Sequence, residues 1–345
     1  MNNETPRAAI ETAQDNRKLR GKDSNNTNTV LEEFQNLEQE LHTKEVGFFI
    51  VKTANDTLRD AAKRPNPIGL WGCLWYEGEM SCLFADSNLG KSILAVEVAT
   101  NIAKSQKVAY FDFELSDKQF QLRYTDYDGR LFVFPDNLFR VEIKPECLFA
   151  KNFTDEIIKQ ISSFVNTENV KVIIIDNITF LNSATEKGDE AGDLMIKLKA
   201  LQKERNISML IIAHTPKRCM TNPITPNDLA GSRKLYNFFD SCNAIGQSAK
   251  NPNLRYIKQL KVRYGAFSYG ADNVQLFTIQ KEGGFLHFVP EGNATEREHL
   301  KEPSENDKCT LIEQAKTMQK NGLSQRQIAG NLGISLGTVN NYLKK

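Results

Sequence analysis

The stretch MSCLFADSNLGKSILAV, residues 80–96, decides the fold. Residues 80–84 are apolar and strand-like, 85–90 make a tight polar loop, and from residue 91 to 103 apolar side chains recur at helical spacing. Strand, loop and helix in that order are the context in which the pattern GxxxxGK[ST] binds phosphate. Here the pattern opens on Ala85 and closes on Gly90, Lys91 and Ser92, so alanine stands where the first glycine is expected. Alanine is the smallest side chain that could replace it. Backbone N–H groups of residues 87–92 are expected to cradle the β-phosphate at the helix N-terminus. Lys91 is expected to reach the β- and γ-phosphates, and Ser92 to ligate Mg²⁺. The candidate ATP site therefore comprises Ala85, Asp86, Ser87, Asn88, Leu89, Gly90, Lys91 and Ser92.

Outward from this loop, apolar strand-like runs at 80–84, 108–113, 170–175, 208–213 and 243–246 alternate with helical patterns at 91–103, 117–124, 154–165, 193–204 and 232–239. Such alternation predicts an α/β fold, a mostly parallel sheet with helices on both faces. Residues 254–262, 274–280 and 284–289 read as antiparallel strands ending the sheet, with a turn at Glu282, Gly283 and Gly284.

A phosphate-binding loop needs an acid at the end of a buried strand to hold the metal's water shell, and KVIIID, residues 171–176, supplies Asp176. Glu114, at the end of VAYFDFE (108–114), is placed to orient an attacking water; Asp112 shares its strand face and competes for the role. His214 follows the apolar run 208–213 and is placed to hydrogen-bond near the γ-phosphate. Lys261 and Arg263 alternate out of an apolar strand toward one face.

These elements, in this order, resemble the RecA-like hexameric ATPases, especially the plasmid-replication RepA and DnaB-type helicase branches. The resemblance covers residues 65–290 and rests on the loop 85–92, VAYFDFE with the helix SDKQFQLR (116–123), Asp176, MLIIAHTPK (209–217) and KVRYG (261–265). It implies a catalytic Glu114, a sensor at His214, and an arginine finger from Lys261 and Arg263 acting in the next subunit's site. That in turn implies a homo-oligomer, most simply a hexameric ring. The family's two channel loops correspond here to 182–192 and 216–231. The first is acidic on balance; the second carries Lys217 and Arg218 and is followed by Arg233, candidate contacts for single-stranded DNA.

Residues 310–345 carry a second pattern. A helix over 310–320 ends at Asn321 and Gly322, Ser324 caps another through Asn331, and Ser335 caps a last one through Leu343. Small Ala329 at the crossing and Gly333 at the turn resemble helix-turn-helix units that bind duplex DNA. Residues 306–345 hold six basic and two acidic side chains. Arg326, Thr338, Asn340, Asn341 and Lys344 are the candidate DNA contacts: asparagine can read adenine and lysine can hold phosphate. A helical protein-binding adaptor of the same shape is the alternative.

Composition sets the bounds. The net charge is +1, so nucleic-acid contact must come from local patches. The six cysteines at 73, 82, 147, 219, 242 and 309 form no CxxC pair, as expected of reduced thiols in a cytoplasmic protein. No run approaches the ~18 apolar residues of a membrane span. The expected domains are a disordered tail with one amphipathic helix (1–45), an ATPase core (46–291), an exposed linker (292–308) and the helix-turn-helix (309–345). The residues lead to the expectation of an ATP- and Mg²⁺-dependent DNA motor, which the resemblance implies is a replicative helicase or DNA-remodelling ATPase of a plasmid or mobile element, with an ATP-switched DNA-binding regulator as the alternative.

Overall fold

A computed structural model of the chain describes residues 43–149, 152–183, 190–215, 218–229, 233–302 and 305–344. Two compact units divide at Asn66 and Pro67, not at residue 45 as the sequence suggested. In the first unit, β1 (Lys44–Val46) pairs antiparallel with β2 (Phe49–Val51) around Gly47, at φ 58°. Helix α1 (Ala54–Ala62) follows, capped by the Thr53 hydroxyl, which accepts from Asp56 N at 3.1 Å. The helix expected over 30–42 lies outside the described residues.

The second unit opens with the short pair β3 (Gly69–Trp71) and β4 (Trp75–Tyr76). Next come β5 (Met80–Ala85), α2 (Lys91–Ala103), β6 (Val108–Asp112), α3 (Asp117–Arg123), β7 (Leu138–Val141) and α4 (Phe153–Glu168). They are followed by β8 (Val172–Asp176), α5 (Ile178–Ser183), α6 (Glu190–Arg205), β9 (Ser208–His214), α7 (Arg233–Phe238) and β10 (Ser241–Gln247). Strands β11 (Leu254–Lys261), β12 (Val274–Glu282) and β13 (Phe285–Ala294) complete a nine-stranded sheet in the order β13-β12-β11-β10-β5-β9-β8-β6-β7. The strands from β10 to β7 are parallel; β11, β12 and β13 are antiparallel, as the sequence predicted.

Alternation along the central strands explains why both sheet faces are covered. In β8, Val172 and Ile174 face one cluster with Leu94, Val98 and Ile102 of α2, while Ile173 and Ile175 face another with Ile161 of α4 and Leu194, Leu198 and Leu201 of α6. A strand apolar on both faces has one stable place, the middle of such a sandwich.

The segment 292–308 departs from the expected linker. Strand β13 continues to Ala294, and a 3₁₀ turn follows at Glu296–His299 with Glu296 and His299 buried. Glu296 pairs with buried Lys258 and accepts from Ile224 N at 2.7 Å and from Tyr256 Oη at 3.3 Å. Polar composition reads as solvent exposure, but the Glu296 carboxylate is matched inside by Lys258 and these hydrogen bonds. The chain then forms α8 (Glu305–Lys320), α9 (Gln325–Leu332) and α10 (Leu336–Leu343). Leu311, Ala315, Ile328, Leu332 and Val339 make their small core.

Candidate functional site

Strand register assembles the site. Ala85 of β5 pairs with His214 of β9, and Asp112 of β6 with Asp176 of β8. All four residues thus fall at the C-terminal edge of the parallel sheet, where ligands of open α/β sheets bind. The loop between β5 and α2 turns through Asn88 at φ 65° and Gly90 at φ 93°. Gly90 is required twice over: a Cβ there would also lie 2.6 Å from Ile279 Cδ1 and 3.1 Å from Phe288 Cζ. Lys91 is buried and donates to the carbonyls of Ala85 and Asp86, both at 2.9 Å. Burial lowers its pKa, opposed by the charges of Asp176, Glu114 and Asp86.

Asp176 is buried, and desolvation pushes its carboxyl up to about 6. Hydrogen bonds from Ser92 and from Tyr110 Oη, at 2.6 Å, oppose that shift by favouring the anion. The Ser92 hydroxyl and Asp176 carboxylate are an oxygen-only pair, the donor chemistry that suits Mg²⁺ when water and phosphate complete its shell. Among the described residues, no three His, Cys, Asp or Glu side chains cluster as a metal site.

Hydrogen bonds give Asp112 and Glu114 different surroundings. Asp112 is buried; it accepts from Arg140 Nε at 2.9 Å and from the backbone N of Glu114 and of Leu115, at 3.1 and 3.0 Å. It shapes the turn that presents Glu114. The Glu114 carboxylate is partly exposed and lies 3.1 Å from His214 Nε2. Asn177, which the sequence reading passed over, joins them: its Nδ2 donates to Glu114 Oε1 and lies 2.9 Å from His214 Nε2. The amide cannot turn over freely, because its Oδ1 accepts from Phe180 N at 3.0 Å. Asn177 therefore offers N–H to the carboxylate, and His214 can either accept from that amide or donate to Glu114.

Other expected residues fall elsewhere. Lys261 donates to Tyr236 O at 3.1 Å and lies over the Tyr236 ring; Arg263 pairs with Asp240 at 3.1 Å and is largely exposed. Neither makes a described contact with the loop 85–92. Arg218, read as a DNA contact, is turned inward: its side chain is 8% exposed, 3.5 Å from Asp86, and donates to Asn222 O at 2.9 Å. A basic residue in a polar loop reads as solvent-facing, but an acid of the phosphate loop holds this one. Arg233 opens α7, and Lys217 lies outside the described residues, as does most of the first loop, 184–189.

In the C-terminal module, Arg326, Asn340, Asn341 and Lys344 are exposed and Thr338 is half-buried. The Ser324 hydroxyl accepts from Gln327 N at 3.4 Å in a capping box, and Gly333 closes α9 at φ 63°. The module sits on the core: Asn222 Nδ2 donates to Leu332 O, and Asn227 Nδ2 donates to Gly330 O at 2.8 Å. Among the described residues, no helix is long and apolar enough to cross a membrane.

Comparison with known proteins agrees with this architecture. Residues 49–220 match the family model of an AAA domain, and 317–345 that of a winged helix-turn-helix DNA-binding domain. The DNA repair protein RadA of Campylobacter jejuni is 27% identical over 209 residues, covering 60% of this chain and 41% of that protein. RadA of Mycobacterium tuberculosis is 24% identical over 212 residues, covering 60% of this chain and 38% of that protein. The chain thus spans about two fifths of the length of these curated relatives. A solved KaiC-like protein of Pyrococcus horikoshii gives a TM-score of 0.46 at 14% identity, covering 63% of this chain and 91% of that one. The fold is a mostly parallel α/β sheet flanked by helices and ending in antiparallel strands, followed by a small helical unit that matches a winged helix-turn-helix model.

Proposed function

We propose that this chain is an ATP-dependent DNA motor that hydrolyses ATP between subunits, with the helix-turn-helix holding duplex DNA. The finer assignment is a RepA-like replicative helicase or DNA-remodelling ATPase of a plasmid or mobile element. One observation carries the reading: Lys91, Ser92, Asp176, Glu114 and His214 come from separate strands and loops but meet at one sheet edge. In the proposed reaction Lys91 and the N–H groups of 87–92 hold the triphosphate. Ser92 and Asp176 would hold Mg²⁺, which supplies charge neutralisation on the phosphate oxygens. Glu114 orients water in line with the γ-phosphate, Asn177 keeps its carboxylate aimed, and His214 senses that phosphate. Arg263, with Lys261, acts on the neighbouring subunit's phosphate in a ring, and single-stranded DNA runs past the core loops.

Turnover of ATP should rise on adding DNA, and a forked duplex should be unwound. Robust DNA-stimulated turnover without strand displacement would remove the helicase assignment and leave the ATPase. A second reading then takes over: an ATP-switched regulator that binds duplex DNA and recruits partners. The inward Arg218 favours it, because a loop occupied by the phosphate loop on one side and the helix-turn-helix on the other offers less to a single strand.

A further inference from the structure

Residues 218–228 touch both functional parts of the second unit. At one end Arg218 pairs with Asp86, inside the phosphate-binding loop, and its Nη1 donates to Asn222 O. Asn222 passes the contact on through its amide to Leu332 O, and a Cβ at Gly333 would lie 3.6 Å from Asn222 Cβ. Asn227 holds the neighbouring Gly330 O. The seat is thus the end of α9 and the turn into α10, while Asn340 and Asn341 of α10 stay exposed. A cleft of about 570 Å³ lies along this junction, between Asn222, Asp228 and Arg218 on one side and Leu311, Met318 and Asn331 on the other.

The far end of the loop is anchored. Ile224 donates its N–H to Glu296 and accepts at its carbonyl from Lys258 Nζ at 2.7 Å, and Lys258 and Glu296 are a buried pair. Arg218 also hydrogen-bonds Tyr256, which donates to Glu296, so a shift of 218–222 works against this anchored group. A guanidinium this buried needs an anionic or carbonyl partner in every state. A triphosphate on residues 87–92 would place new negative charge beside Asp86 and compete with it for Arg218.

We propose that residues 218–222 relay phosphate occupancy to the helix-turn-helix: nucleotide draws Arg218 from its Asp86–Asn222 position and loosens the seat of the α9–α10 turn. The proposal rests on reading residues 85–92 as a nucleotide site. It makes nucleotide affinity and the seating of the helix-turn-helix mutually dependent, each changing the other by the same factor.

The test is hydrogen exchange of residues 324–344 in the full chain, with and without Mg²⁺ and a non-hydrolysable ATP analogue, at saturation checked by a fluorescent nucleotide. The expected result is exchange about tenfold faster with nucleotide, a factor typical of coupled sites. Asn222→Ala should show the faster exchange without nucleotide, bind nucleotide more tightly by up to the same factor, and lose the response; Asn227→Ala should weaken the seat yet keep the response. Nucleotide binding with unchanged exchange overturns the relay alone, as does an Asn222→Ala variant that responds like the parent chain. No nucleotide binding at all overturns the relay together with the ATP reading.

Discussion

Gly90 shows how one residue ties the loop to the sheet. Its φ of 93° strains any residue with a Cβ, and a Cβ there would also press on the tips of Ile279 and Phe288. Gly90→Ala should lower stability by at least about 1–2 kcal/mol, the cost of left-handed backbone for a residue with a Cβ. Thermal unfolding would measure this, and the variant should also lose nucleotide affinity. Lys91→Ala should abolish ATP turnover; full turnover in that variant would overturn the site. For Asn177 the informative measurement is a double-mutant cycle. Asn177→Ala should cut kcat, though by less than the roughly 10²–10⁴-fold that a positioned acid–base group itself supplies, with KM little changed. In an Glu114→Gln background it should have almost no further effect. Asp176 adds a pH signature. Burial raises its carboxyl from the usual carboxylate range to about 6 in the folded chain, so only the folded chain keeps that proton between that range and about 6. Its stabilising effect is present at the acid side and lost as pH rises through about 6, and Mg²⁺ affinity should rise over the same window. Comparing denaturation and Mg²⁺ titration of the parent chain with Asp176→Asn isolates this group. That Lys91, Ser92, Glu114, Asp176 and His214 gather at one sheet edge was legible in the sequence because each ends or follows an apolar strand at motif spacing. Asn177 was not, because its role depends on a backbone N–H from Phe180 that fixes its amide.

Among elements, the β12–β13 hairpin does more than finish the sheet. Phe288 packs over Gly90, and Phe288 N donates at 2.8 Å to Glu97, a half-buried residue of the helix that follows the phosphate loop. Phe288→Ala should therefore cost about 3–5 kcal/mol, typical of a buried aromatic, and raise KM for ATP. A stable variant with unchanged KM would show that the hairpin does not shape the site. The central strands were readable because apolar runs broken by helices have few other packings. Strand β7 was not: its four half-buried residues, Leu138–Val141, are too short to show a period and gain their identity from pairing with β6. The segment 292–308 misled for a different reason. The charge on Glu296 is matched by Lys258, which lies 38 residues earlier and packs against it only in three dimensions.

At the scale of the whole molecule, a single chain leaves Arg263 largely in solvent, held at one edge by Asp240 and away from its own Lys91. That placement makes sense if Arg263 serves a neighbouring site, and the idea can be separated from a role within one chain by mixing subunits. Arg263→Ala and Lys91→Ala should each lose turnover, the former by the factor of about 10³–10⁵ associated with arginine fingers. Under action between subunits, a Lys91→Ala chain still supplies Arg263, and an Arg263→Ala chain still supplies Lys91. Random one-to-one assembly of the two into a closed ring then restores both groups at about a quarter of the interfaces. Measurable turnover should return on mixing two inactive preparations. If Arg263 acts within its own chain, no interface regains both groups and the mixture stays inactive. Size measurement with a non-hydrolysable ATP analogue should accompany the mixing, because a mixture that forms rings and stays inactive rules out the finger, whereas one that stays monomeric rules out the ring.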